Sequence, residues 1–191
     1  LNSLGNTSSV LVDAVAPSGY SVSFDDSTLN ASESDSVSFT FAGAEVGADY
    51  SYSISSNGGG TPVTGTGTVS DGAQQITGLD VGNLGDGTLT LSVALTDEAG
   101  NQSSSVTTTA TLDATAASVT LDSAADPVTH AEFTVSITFD EPVNGFAVGD
   151  ITVSNATVGS FSGSGASYTA TITPTDDGTV TVDVGAGVAQ D

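Results

Sequence analysis

The sequence predicts an all-β chain built of β-sandwiches, and three observations carry that prediction. Apolar and small polar residues alternate with period two in one segment after another. Ser, Thr and Val, which suit a pleated, half-buried surface, dominate those segments. Turn signals rich in Gly, Asn and Asp separate them, and no stretch carries its apolar residues at the 3.6-residue spacing of a helix.

In chain order, the alternation marks strands at Val37–Phe41, Tyr50–Ile54, Leu89–Val93, Phe133–Phe139 and Val180–Val184. The turns between them fall at Asn57-Gly58-Gly59-Gly60, Asp71-Gly72, Asp86-Gly87, Asn144-Gly145 and Asp177-Gly178. Short strands at this spacing read as sandwiches. An internal repeat marks where they join. Gly5-Asn6-Thr7-Ser8-Ser9 followed by Val12-Asp13-Ala14 recurs as Gly100-Asn101-Gln102-Ser103-Ser104 followed by Leu112-Asp113-Ala114. Each copy reads as a last strand plus linker. Residues 1–16 are then the last strand and linker of a preceding domain, 17–116 a complete sandwich, and 117–191 a sandwich lacking its final strand. Joining the two ends runs Val188-Ala189-Gln190-Asp191 into Leu1-Asn2-Ser3-Leu4-Gly5-Asn6, which parallels the hairpin Leu95-Thr96-Asp97-Glu98-Ala99-Gly100-Asn101. The chain therefore reads as one period of an extended head-to-tail array. Its second domain would be completed by a strand from the next or preceding copy, on the same polypeptide or on a separate subunit.

Composition limits what such an array can do. There is no Lys or Arg among 191 residues and there are 23 Asp and Glu, so the formal charge is −23 and no carboxylate can pair with a basic side chain. Phosphate backbones and anionic membrane surfaces would repel the chain. With 37% hydrophobic and only 12% charged residues it is nevertheless a folding composition. Counter-charge must come from outside. Without Cys, the fitting partner is a hard cation held by oxygen ligands, and Ca2+ accepts carboxylates and carbonyls in the loosest geometry. A single His130 and the lack of Cys, Lys and Arg remove Cys–His pairs, Schiff-base chemistry and cationic phosphate clamps, and without Trp little is left to stack a sugar ring between paired carboxylates, so the reading is of a protein that is not an enzyme.

Asp97-Glu98-Ala99-Gly100-Asn101, Leu112-Asp113-Ala114-Thr115-Ala116 and Phe133 through Phe139-Asp140-Glu141-Pro142-Val143 resemble the tandem bacterial immunoglobulin-like domains of giant calcium-dependent surface adhesins. Gly145-Phe146 through Asp150-Ile151-Thr152-Val153-Ser154-Asn155-Ala156, with Tyr168-Thr169-Ala170-Thr171-Ile172-Thr173-Pro174, extends the likeness over nearly the whole chain. The resemblance implies an extracellular stalk or extender repeat with calcium at the domain junctions. In an immunoglobulin-like topology the linker enters at the end that carries the B–C and F–G loops. The expected metal ligands are then Asp13, Glu45, Asp49, Asp97 and Glu98 for the first domain, and Asp113, Asp140, Glu141 and Asp191 for the second. Asp71, Asp86 and Asp177 precede Gly and read as local turn chemistry instead. Asp80-Val81-Gly82-Asn83-Leu84-Gly85-Asp86 lacks the third-position ligand and terminal Glu of an EF-hand loop. Two other functions fit the sequence: a self-assembling filament or surface-layer subunit, and a module that recognises a glycan or protein. The second needs exposed aromatic anchors, whereas Phe39, Phe41, Phe133 and Phe139 sit at strand-interior spacing.

Overall fold

The structure, a computed structural model, describes residues 12–123 and 131–190. Most of the expected donor segment 1–13, His130 and Asp191 lie outside the described residues. The chain forms two compact units, residues 1–115 and 116–191.

The first unit is a sandwich of two sheets. Strands β1 (Ser21–Phe24), β3 (Val37–Ala42) and β6 (Gln75–Leu79) form one sheet, in the order β1-β3-β6. The other has the order β2-β8-β7-β4-β5, from β2 (Thr28–Asn30), β8 (Val106–Asp113), β7 (Gly87–Thr96), β4 (Asp49–Ser56) and β5 (Val63–Thr68). All pairings are antiparallel except that of β2 with β8. Period-two alternation decides which side chains go inward. Val37, Phe39 and Phe41 of β3 and Leu89, Leu91, Val93 and Leu95 of β7 are buried, while Ser and Thr between them face outward. Phe39 meets both Phe41 and Tyr52 edge-on at 5.5 Å, so aromatic rings from both sheets close the core.

Strand β5 has no apolar alternation, because its inward positions are occupied from across the sheet. A Cβ on Gly65 would come within 2.5 Å of the Tyr52 ring, and one on Gly67 within 2.5 Å of the Tyr50 hydroxyl. The two tyrosines lie over the edge strand and fill the space its side chains would take. At the entry to β1, the buried Tyr20 ties the preceding segment to the β7–β8 loop. Its hydroxyl lies 2.8 Å from Ser103 Oγ and donates to a backbone carbonyl, with Val93 O and Ser104 O both at 3.1 Å.

The second unit has strands β9 (Val119–Ser123), β10 (Phe133–Val143), β11 (Ile151–Ser154), β12 (Ala156–Pro174) and β13 (Thr181–Val184). They form one sheet in the order β12-β10-β9 and a two-stranded sheet of β11 and β13. Strand β10 runs past the expected Phe139 to Val143, through Pro142. The register against β12 shifts between Thr138 and Val143, and such an irregularity accommodates a residue with no N–H. Strand β12 folds back on itself: Ser160 N–H donates to Thr171 Oγ1 at 2.8 Å, and Phe161 stacks on Tyr168 at 5.6 Å. Phe146 packs between them and Phe139, 5.1 Å from Phe139 and 5.0 Å from Tyr168. Val135, Ile137, Ala170 and Ile172 complete a small core.

Substituting Leu91, fully buried between the sheets, by Ala is expected to lower the stability of the first unit by about 2–5 kcal/mol. Thr66→Ala on the outward face of β5 is expected to change it by less than about 0.5 kcal/mol. Urea unfolding of both variants checks the difference.

Candidate cation-binding carboxylates

The β7–β8 loop is built around Asp97, which is buried to 7% exposure at the end of β7. Its two carboxylate oxygens accept from one residue: Asn101 N–H reaches Oδ1 and Asn101 Nδ2 reaches Oδ2, each at 2.8 Å. The backbone closes the same turn, with Asp97 N–H donating to Asn101 O at 3.1 Å and Gly100 N–H to Asp97 O at 3.0 Å. The Asn101 side chain holds the Asp97 carboxyl below its ordinary pKa, with further help from backbone donors against the opposing effect of burial. The same Asn101 amide reaches Asp13 O at 3.3 Å, so the linker is drawn to this loop. The exposed Asp13 carboxylate accepts from Val15 N–H at 3.1 Å, and Glu98 is exposed beside Asp97.

The other expected ligands are placed differently. Asp49 opens β4 opposite Thr96 and Thr68, and accepts from Thr68 Oγ1 at 2.7 Å. Glu45 is exposed in the β3–β4 loop, where its carbonyl accepts from Ala48 N–H at 3.2 Å. Asp113 ends β8 in register with Asn30 of β2. In the second unit, Asp140 on β10 clips Ser118, whose N–H and hydroxyl each donate to it at 2.7 Å. The Ser118 hydroxyl, followed by its N–H, holds the Asp140 carboxyl below its ordinary value. Glu141 next to it is half-buried. Asp97 and Asp13 are thus joined through Asn101. Among the described residues no group of three or more His, Cys, Asp or Glu is arranged to hold a metal ion.

Two carboxylates have partners that local sequence does not show. Asp86 was expected to act within its own turn, yet its Oδ1 accepts Ala114 N–H at 2.7 Å, 28 positions away. The hydroxyl of Thr115, then Ala114 N–H, lower its pKa, so Asp86 fastens the end of β8 to the β6–β7 loop. Asp25 follows β1 and collects Thr40 Oγ1 at 2.6 Å and Gln75 Nε2 at 2.8 Å, together with the Ser38 hydroxyl. Burial raises its pKa, but the three donors outweigh that and the net shift is downward. The register of β1 on β3 and of β3 on β6 brings these four residues together. Asp71 does act locally, accepting Ala73 N–H at 2.8 Å. In the Asp80 loop, Val81 and Leu84 turn into the core and Asp80 accepts Gly82 N–H at 2.9 Å.

A family match bears on the second unit. Residues 113–191, which include the whole second unit, match the family model of the bacterial Ig-like domain. The second unit is thus similar to bacterial Ig-like domains. Among solved structures, the chain is similar to a tetra-tandem repeat in the extending region of a large adhesion protein, at 27% identity and TM-score 0.45, covering 91% of this chain and 42% of that one. It is similar to invasin, a bacterial integrin-binding protein, at 15% identity and TM-score 0.36, covering 90% and 37%. It is also similar to a chitinase from Bacillus thuringiensis at 16% identity and TM-score 0.32, covering 88% and 29%. The chain spans less than half the length of each of these structures. No curated protein matches it.

The lowered carboxyls fix the acid behaviour. Asp86, Asp97 and Asp140 have folded values below the ordinary 3.8, so the unfolded chain takes up their protons first. Their contribution to stability is complete above that ordinary value and is lost as the pH falls below it towards the folded values. Asn101→Ala removes the side-chain donor to Asp97 Oδ2 and the contact of that amide with Asp13 O, leaves the backbone N–H donor in place, and is expected to raise the Asp97 titration towards 3.8. Carboxyl carbon chemical shifts followed by NMR from neutral pH to strong acid check this, and an unmoved titration would contradict the role of Asn101.

Proposed function

We propose that this chain is a structural extender repeat of a bacterial cell-surface adhesin or extracellular fibre, whose job is length and stiffness. The observation that carries the reading is the match of residues 113–191 to the bacterial Ig-like domain, directly following a first unit that is itself an eight-stranded sandwich. Sandwiches in series add length with every copy and need no catalytic site. The exposed large hydrophobic residues among those described are Val12, Val15, Val46 and Val148, none of them an aromatic anchor for a ligand.

Stiffness is assigned to calcium held by the oxygen donors at the linker ends of the units. The oxygens of Asp13 and Asp97 are of the kind a hard cation takes, carboxylate and carbonyl, and they now accept the N–H groups of Val15 and Asn101. Asp97 is already oriented by Asn101, the exposed Glu98 follows it, and the backbone carbonyl of Asp13 accepts from the same Asn101 amide. Two or three carboxylates do not fill the six to eight positions Ca2+ takes, so backbone carbonyls and water would supply the rest. A chain at −23 with no Lys or Arg gains most from such an ion, because no cationic side chain of that kind offsets the repulsion between carboxylates.

An expressed array of four copies tests both parts. In electron micrographs it is expected to form rods in millimolar calcium and to bend more in chelator. Equal bending in both conditions would remove calcium from the reading, and compact globules in both would remove the extender role.

A further inference from the structure

We propose that Asn144 is a site of self-modification, where the side-chain amide is displaced by the backbone nitrogen of Gly145 and an isoaspartyl link forms in the chain. Asn before Gly is the dipeptide in which this ring closure meets least obstruction, because no side chain stands on the residue that attacks. The sequence holds two such pairs, Asn57-Gly58 and Asn144-Gly145, and every other Asn precedes a residue with a side chain.

The structure treats the two pairs differently. Asn57 opens the connection between β4 and β5. Its Oδ1 accepts Thr88 N–H at 2.8 Å, its own N–H donates to Thr88 O at 3.1 Å, and the nitrogen that would attack, Gly58 N–H, donates to Ser56 Oγ at 3.0 Å. Space is short as well: a Cβ on Gly58 would lie 2.0 Å from Asp86 O, and one on Gly87 2.2 Å from Asn57 Oδ1. Attack needs the two groups aligned, and here neither turns towards the other without breaking these contacts. Asn144 follows β10 and is held through its backbone alone, its N–H donating to Gln190 O at 2.6 Å and its carbonyl accepting Gln190 N–H at 3.0 Å. Among the described residues, its exposed carboxamide and the Gly145 N–H have no hydrogen-bond partner. A Cβ on Gly145 would meet nothing within 4 Å, so the loop leaves room for the ring. The Gln190 N–H also polarises the peptide group to which the Gly145 nitrogen belongs, which eases loss of its proton.

In the reaction, Gly145 N gives its proton to water and bonds to Asn144 Cγ. The Cγ–Nδ2 bond breaks and the side-chain nitrogen leaves as ammonia. Water then opens the cyclic imide. Opening beside Cγ gives an ordinary aspartyl residue, and opening beside the main-chain carbonyl gives isoaspartate, whose backbone runs through Cβ and Cγ. The sum is one water taken up and one ammonia released, with nothing oxidised or reduced. Either product adds negative charge to a chain already at −23. Isoaspartate also lengthens the segment between β10 and Phe146, whose ring sits 5.1 Å from Phe139 and 5.0 Å from Tyr168, so it works against the small core of the second unit.

The test incubates the 191-residue chain at neutral pH and physiological temperature, folded and in urea, and then cleaves it at Glu, since it holds no Lys or Arg for trypsin. Mass spectrometry of the peptides reads amide-to-acid conversion at each Asn, and an isoaspartyl methyltransferase with a labelled methyl donor reads isoaspartate. In the folded chain, conversion at Asn144 is expected to be at least about tenfold faster than at Asn57, a 1.36 kcal/mol difference in barrier. In urea the two rates should converge. Asn144→Gln should remove most of the methyl acceptance, and Ser56→Ala, which frees the Gly58 N–H, should speed conversion at Asn57. Conversion at Asn57 as fast as at Asn144 in the folded chain would overturn the proposal, as would a folded chain in which neither converts while the chain in urea does. Neither calcium nor the extender role enters the prediction, so the two readings fail separately.

Discussion

The constraint on which this structure rests is that the chain contains no Lys or Arg to set against 23 acidic residues. Elsewhere a buried or half-buried carboxylate is commonly answered by a basic side chain. Here neutral donors answer the buried Asp97 (Asn101) and the half-buried Asp86 (the end of β8), and exposed carboxylates as well: the hydroxyls of Ser38 and Thr40 and the amide of Gln75 for Asp25, Thr68 for Asp49, and Ser118 for Asp140. The abundance of Ser and Thr on the outward faces of the strands supplies these donors in register. Neutral donors satisfy lone pairs but leave net charge where it is. The fold can form in this way, yet its repulsion persists until ions from the solvent reduce it.

These carboxylates also act as fasteners. Asp97 and Asn101 close the β7–β8 loop and bring the linker to it, Asp86 holds the exit of β8, and Asp140 holds Ser118 at the entry of the second unit. Asp97 and Asp86 sit where a strand meets a connection, and Asp140, inside β10, reaches Ser118 just before β9, where backbone groups lack ladder partners. A modular chain needs defined entries and exits if its length is to be reproducible from copy to copy.

Much of this was legible in the sequence where one strand carries its own pattern. Val37–Phe41, Leu89–Val93 and Phe133–Phe139 announce β3, β7 and β10 because their inward residues are large and alternate with Ser and Thr. Strand β5 was missed because the side chains that fill its inward face belong to Tyr50 and Tyr52 of β4, leaving only glycines to read. β2, three residues in parallel with β8, is too short to show a period. The carboxylates divide in the same way. Asp71 acts two residues away, as Asp before Gly predicts, whereas the partners of Asp86 and Asp25 are set by strand register. The nine expected metal ligands were chosen by which loops share an end of the sandwich. That reasoning brought Asp13 and Asp97 to one place but could not foresee that Asn101 would lie between them.

Capture of an external divalent ion, beyond simple screening, is the claim on which the stiffness rests. Differential scanning calorimetry of the chain in calcium chloride and in sodium chloride at matched ionic strength separates the two most directly. Specific binding predicts a higher melting temperature in calcium, by about 2.7 kcal/mol of added stability at a hundredfold excess over the dissociation constant. Superimposed melting curves in the two salts would contradict it.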